Sequence, residues 1–326
     1  MGDFISKQKK EIYSYVDSSK ESIYFGSYPQ TEIKDETLIM ELNKKAGTLP
    51  TESNTYNWSD YGYYINGEVE SYMYYIDIEL DEGKYRGVYF TQYRPVCTTT
   101  DGGSDQEDNG YNTNTTYWFK YEPIKWNILK IENNKVLIIS DLILDSQDYY
   151  SHSSRNGATD YQGNKTADIV NANNYMYSHI RSWLNTTFYK TAFSTLEKEI
   201  IETTEVDNSA SSTGDSSNEY ACSNTRDKMF LLSYKEATTY YSSESERQAK
   251  GTDYAKSQGL WVITILSDSG NSCYRLRSPN YYLDYDAGCV YHDDGAWGVS
   301  LVGSACNLYV FDTANGIRPV CWINLK

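Results

Sequence analysis

Histidine is scarce, with three in 326 residues, and none of the six cysteines stands in a C-x-x-C pair. Zinc ribbons and thioredoxin-like redox sites depend on such pairs, so neither is expected, and neither a metal nor a cofactor is anticipated. No run of 18 apolar residues occurs, which speaks against a membrane-spanning helix and against direct membrane insertion. Positive charge is in deficit: 29 Lys and Arg face 45 Asp and Glu, a net −16. Nothing would neutralise a phosphate backbone, so nucleic acid is not an expected partner. Met1–Lys10 has lysines without a following apolar segment and does not read as a signal peptide. Met1-Gly2 with Ser6 has the form of a myristoylation pattern, but Asp3 beside Gly2 favours a trimmed N-terminus.

A further deficit is local. Lys, Glu, Gln and Met make up 54 residues of the chain, yet residues 259–325 contain none, where about eleven would be proportionate. Strand propensity accounts for part of this. It does not account for all, because the Tyr-rich stretch 61–90 keeps Glu68, Glu70, Met73, Glu79, Glu82 and Lys84. Apart from Trp297, every residue type in 280–315 has a codon ending in a pyrimidine, which Lys, Glu, Gln and Met lack. A coding segment with fixed pyrimidine third bases and varied first and second bases would have this composition.

What is abundant is tyrosine, 34 residues against 8 phenylalanines. Hydrophobic residues at 39% and charged residues at 23% fit a globular chain. Residues 3–20 read as a short amphipathic helix, Ile23–Gly26 as a strand, and 33–45 as a helix. Short Tyr-rich strands are expected at Tyr61–Ile65, Tyr72–Leu80 and Lys84–Phe90, and an exposed loop at Thr98–Thr116. A hairpin joins Phe119–Ile131 to Lys135–Leu144 through Asn133-Asn134. Ile180, Trp183, Leu184 and Phe188 form one apolar helical stripe, and Ser194-x-x-Glu197 is a capping box for a helix reaching Ile201. Thr203–Thr225 reads as a polar loop, Met229–Leu232 as a buried strand, and Tyr234–Tyr240 and Glu246–Gln258 as helices. The glycine-punctuated remainder, Gly259–Leu325, reads as short strands. The fold class expected is α+β. Residues 1–22 form an N-terminal extension and 23–326 one domain, with an insertion at about 42–117 and a variable-looking segment at about 280–315.

Several stretches are similar to successive landmarks of an uncharacterised bacterial domain family. They are Ile23–Gln30, Glu122–Trp126, Ile180–Asn185, Ala192–Ser194, Asp227–Ser233, Leu276–Pro279 and Gly316–Leu325. Two tryptophans usually precede Leu-Arg-Ser-Pro in that family, and this chain has Cys273-Tyr274-Arg275 there. The ending also resembles, more loosely, C-type-lectin-like and formylglycine-generating-enzyme-like folds, a class that includes the variable proteins of diversity-generating retroelements. That resemblance implies a lectin-like scaffold displaying a diversified face at about 280–315. It also implies a protein or glycan ligand on a cell or phage surface, and a cell-surface, secreted or virion-associated location ahead of a cytoplasmic one.

The expected ligand-binding residues are Tyr281, Tyr282, Asp284, Tyr285, Asp286, Tyr291, His292, Asp293, Trp297, Ser300, Tyr309 and Phe311. Aromatic side chains supply contact area at low entropic cost, and Ser and Asp supply hydrogen bonds. The plain alternative is an ordinary Tyr-rich β surface. Arg275, Arg277 and Arg318 read as framework beneath the face. Asp284–Gly288 is too short for a calcium loop, and Asp293-Asp294-Gly295 reads as a turn. The cysteines are small buried hydrophobes or disulfide partners. No catalytic residues are expected; the rival classes are formylglycine-type oxidoreductase chemistry at Cys306 and Cys321, and a fixed structural surface protein.

Overall fold

The computed structural model describes residues 22–65, 68–70, 72–94, 105–150, 154–263, 270–293, 296–300 and 309–325. The expected helix at 3–20 therefore lies outside the described residues, as do Cys97 and Cys306. The architecture is α+β, built on two sheets.

The first sheet is organised by one long strand, Thr116–Glu132. Along one edge it pairs antiparallel with Ser22–Glu32. Along the other, residues 116–120 pair with Tyr85–Tyr89 and residues 126–132 with Lys135–Ser140. Gly83–Phe90 continues to Met73–Leu80, and the last strand, Val320–Asn324, joins Lys135–Ser140. The chain's first and last described strands thus belong to one sheet. Asn133 and Asn134 both take positive φ, 48° and 62°, the twist a two-residue hairpin demands and Asn tolerates. Ile124, Trp126, Val136, Ile138 and Ile139 are buried, and the Trp126 indole N–H donates to the Phe25 carbonyl at 2.7 Å.

Gly26 interrupts the pairing of the N-terminal strand, at a register shift between Tyr24 and Ser27. Its φ is +68°, and a Cβ there would lie 2.7 Å from the Phe193 ring. Both the backbone angle and the close ring require glycine. Its N–H donates to Glu197 Oε1 at 2.9 Å. That carboxylate also closes the Ser194 capping box of the Thr195–Lys198 helix, which stops short of Ile201.

The second sheet is mixed, ordered 296–300, 287–293, 274–279, 316–317, 145–146, with one parallel pairing at Tyr274 and Gly316. Against the N-terminal strand, with Phe188 5.1 Å from the Tyr28 ring, runs His179–Ala192, α-helical at both ends with a π turn over Leu184–Phe188. Tyr189 N–H reaches back five residues to the Leu184 carbonyl. The wider turn lets Phe188, eight residues after Ile180, return to the core face, and both are fully buried.

Glu36–Ala46 is capped by Asp35, whose carboxylate accepts from Leu38 N–H at 2.9 Å. It covers a separate cluster of Trp58, Tyr74, Ile78, Tyr85, Tyr89 and Trp118. The opposite side of the same strands carries Arg86, buried and held by Asp77 at 2.8 and 2.9 Å.

Several expectations change. The 98–116 loop is not all exposed: its described part contains the Asp105–Asp108 helix, with Gln106 and Tyr111 buried. Gln106 is drawn inward because it donates to the Ser257 carbonyl at 2.8 Å and accepts from Arg94 N–H at 2.7 Å. The polar 203–225 stretch contains paired strands Thr204–Val206 and Thr225–Asp227. Its Asn208, Ser212, Thr213 and Asn218 are buried, hydrogen bonding mostly to their own segment. Met229–Leu232 is buried but bridges only at Phe230 and Val320. The 246–258 helix is two short ones, Glu244–Arg247 and Asp253–Ser257, the second capped afresh by Thr252.

Candidate functional site

Strand Tyr274–Pro279 is wholly buried and rests on arginines. Arg275 donates to the Tyr309 and Asp312 carbonyls. Arg277 donates to the Leu231 and Asp207 carbonyls at 2.6 and 3.0 Å and pairs with Glu236. Arg318 reaches the Ser140 carbonyl at 3.0 Å and lies 4.8 Å over the Tyr274 ring. Planar guanidinium groups bridge several carbonyls at once, which is why they can be buried here. All three are framework.

Where the strand ends, the chain turns through 281–286. Asn280, buried, accepts from Tyr282 N–H at 2.7 Å, and its own N–H donates to the Asp286 carbonyl at 2.9 Å. From behind, Asn173 gives its side-chain amide to the Leu283 carbonyl at 2.9 Å and its backbone N–H to the Asp284 carbonyl at 3.0 Å. With its backbone so committed, the turn presents side chains outward. Tyr282 is 65% exposed, Leu283 is exposed, and the Tyr281 and Tyr282 ring centroids are 4.1 Å apart.

The returning chain lies beside this turn. Asp286 bridges to Tyr309, and Val310 N–H donates to the Tyr285 carbonyl at 2.9 Å. Tyr285, Tyr309 and Phe311 then form a row, with centroids 5.8 and 5.2 Å apart and the last two nearly parallel at 6°. Tyr285 and Phe311 are half-buried against the main core.

The structure therefore gathers Tyr281, Tyr282, Asp284, Tyr285, Tyr309 and Phe311 at one end of the second sheet. Tyr291, half-buried, sits further along, opposite Gly298; His292 pairs with Trp297, Asp293 with Ala296, and Ser300 with Cys289. Strand Ala287–Asp293 separates its two ends by about 20 Å, so the twelve residues spread along a ridge instead of closing on one patch. Asp286 is a correction of another kind. It is buried, and burial, opposed by Arg275 and reinforced by Asp284, lifts its carboxyl above the ordinary range. Its backbone carbonyl accepts from Asn280 N–H, and its side chain is turned away from solvent. The same burial raises Asp312 beneath Phe311.

Cys222, Cys273, Cys289 and Cys321 are unpaired. Burial alone drives the Cys321 thiol far above the usual range. Among the described residues no three His, Cys, Asp or Glu side chains converge as a metal centre would need. No described helix is long and apolar enough to cross a membrane.

A family model described as a domain of unknown function, DUF6273, matches residues 133–325, well over half of the chain. The chain belongs to that family. No curated protein and no solved structure matches it. The DUF6273 region takes in the second strand of the long hairpin, the helix with the π turn and the entire second sheet. The Tyr-rich strands lie before it.

A concavity of about 230 Å³ was not visible in the sequence. It lies where the π-turn helix meets the Tyr-rich strands, and its walls come from residues 61–62, 147–148 and 179–187. No local motif links segments so far apart.

Proposed function

We propose that this DUF6273 protein is a binding module with a lectin-like scaffold, whose ligand, a protein or a glycan, meets the side chains of the 281–311 turn region. The observation that carries this reading is the contrast within that region. Its backbone is anchored by Asn280, Asn173 and Arg275, while Tyr282 and Leu283 stand outward and Tyr281 is half-buried beside them. A face whose fold is held by backbone hydrogen bonds and buried arginines tolerates side-chain change, the property a diversified surface needs. The composition of 280–315 agrees, as does a scaffold whose first and last strands share one sheet while a second sheet displays the turn.

Formylglycine-type oxidation is the weaker reading. It would require a reactive thiol at Cys321, and that side chain is fully buried in the central sheet. A non-enzymatic role is accordingly part of the proposal.

The deciding experiment is to sequence the coding DNA of residues 270–326 with the flanking few kilobases. The expected finding is a near-copy of the segment, differing only where the copy carries adenine, beside a reverse transcriptase gene. A lone segment with no such copy would refute diversification and leave a face of constant sequence.

A further inference from the structure

The concavity beside the π turn is polar and aromatic, and neither Lys nor Arg lines it. Its floor is set by Asp148 and His179, with Asp148 Oδ2 3.3 Å from His179 Nδ1. The Tyr150 ring packs 4.6 Å from the imidazole and fixes its plane from behind. Trp183 forms one wall, half-buried and braced by Phe188 at 5.5 Å. Tyr61 also lines the concavity, its hydroxyl tied to that of Tyr254 at 2.9 Å.

The helix supplies hydroxyls as well. His179, Ser182 and Thr186 follow one another at spacings of three and four, so they share a face. Thr186 Oγ1 donates to the Ser182 carbonyl at 2.7 Å and keeps its lone pairs for an incoming donor. Ser182 Oγ and Trp183 Nε1 have no hydrogen-bond partner among the described residues. The π turn is what brings both Thr186 and Thr187 to the rim, since it inserts one residue into the helical repeat. Such turns cost helix stability and are found disproportionately at functional sites.

We propose that this groove binds a neutral sugar ring, stacked on Trp183 and hydrogen bonded through Asp148, Ser182 and Thr186. The chemistry narrows the class. No Lys or Arg lines the groove, so phosphate and carboxylate ligands find no permanent cation there, and the Asp148 carboxylate opposes them. Hydroxyls and a carboxylate beside an aromatic face instead suit a ligand with ring C–H groups on one side and equatorial hydroxyls around it. Its volume suits one ring, not a chain. This site is separate from the 281–311 face and does not depend on that face having a ligand. Tyr61 comes from the Tyr-rich region outside the family match, so the groove joins residues inside and outside that match.

The test is saturation-transfer NMR on the full chain with glucose, galactose and N-acetylglucosamine, each against choline as a cationic probe. At least one sugar should receive saturation at its ring protons. Its affinity should fall ~tenfold in Trp183→Ala. In Ser182→Ala, which removes one hydroxyl and leaves the packing intact, it should fall by about two- to tenfold. The double variant Tyr281→Ala/Tyr282→Ala should bind as the parent does. Saturation of choline alone, absence of transfer to every sugar, or unchanged affinity in Ser182→Ala would overturn the proposal. Loss of sugar binding in the Tyr281/Tyr282 variant would overturn it too, by placing the sugar on the turn.

Discussion

Tyrosine plays opposite parts at two places in this molecule. In the strands 73–90, Tyr74 and Tyr85 are buried beneath the 36–46 helix. On the other side of those strands Tyr75 and Tyr121 stack on the Arg86 guanidinium, 4.4 and 5.6 Å from the ring centroids. In the 281–286 turn the same residue type faces outward with its backbone pinned behind it. The difference is the layer next door: a helix covers one side of the first region and the buried Arg86 guanidinium the other, and nothing described covers Tyr282. Residue type therefore indicates that an aromatic surface exists, while its neighbours decide whether it is core or contact.

The sharpest way to break this contrast is at Arg86. Arg86→Ala would leave the partly exposed Asp77 carboxylate without its partner and remove the buried cation beside the Tyr75, Tyr121 and Tyr254 rings. The lost packing and cation–π contacts of the buried Arg86 should cost about 3 kcal/mol in denaturant unfolding. Asp77 gives the same point a pH signature. Burial raises its pKa, but Arg86 outweighs burial and the net shift is downward. That stability is present above the unfolded carboxylate pKa and is lost as pH falls through the folded one, so Arg86→Ala should flatten the acid limb. A parent-like midpoint in Arg86→Ala would mean the polar side of the strands is not a core at all.

Asp105 offers an intermediate effect of opposite sign. Burial first, then Asp312 and Asp108, raise its carboxyl to about 7. A raised carboxyl favours the protonated form, so the associated stability is whole below about pH 4 and disappears as pH climbs to 7. Asp105→Asn should therefore stabilise the protein at pH 8 by on the order of 2 kcal/mol and change little at pH 4. Melting curves at the two pH values check this, and equal shifts at both would contradict it.

The smallest stability effect belongs to the turn. Tyr281→Ala/Tyr282→Ala should alter unfolding free energy by less than about 0.5 kcal/mol while removing binding at the C-terminal face. A large destabilisation would place these rings in the core and erase the contrast with Tyr74.

Much of the first sheet was legible in local residues. The alternation through Ile124, Trp126 and Ile128, the Asn133-Asn134 turn and the Ser194 capping box all act within a few residues, and each formed as expected. The capped helix ended early, because the chain then bridges at Ile201 to Ile323 in the last strand. Elsewhere long-range hydrogen bonds overrode composition. Gln106 in a polar loop is buried because Ser257, 151 residues later, offers it a carbonyl. Asp286 read as a ligand contact because aspartate is usually exposed, and it is buried because the returning chain at Tyr309 lies over it. The His179 groove left no trace in the sequence, since three distant segments form it.

The sequence alone determined the class of fold, the hairpin and capping geometry, the acidic surface and the presence of an unusual C-terminal composition, because these depend on neighbours a few residues away or on totals. Only tertiary structure decided which tyrosines are exposed, which aspartates are buried, and that a π turn and a Tyr-rich strand enclose a groove. Those outcomes depend on contacts between residues tens to hundreds of positions apart, whose hydrogen bonds and packing exist only once the two sheets have closed on one another.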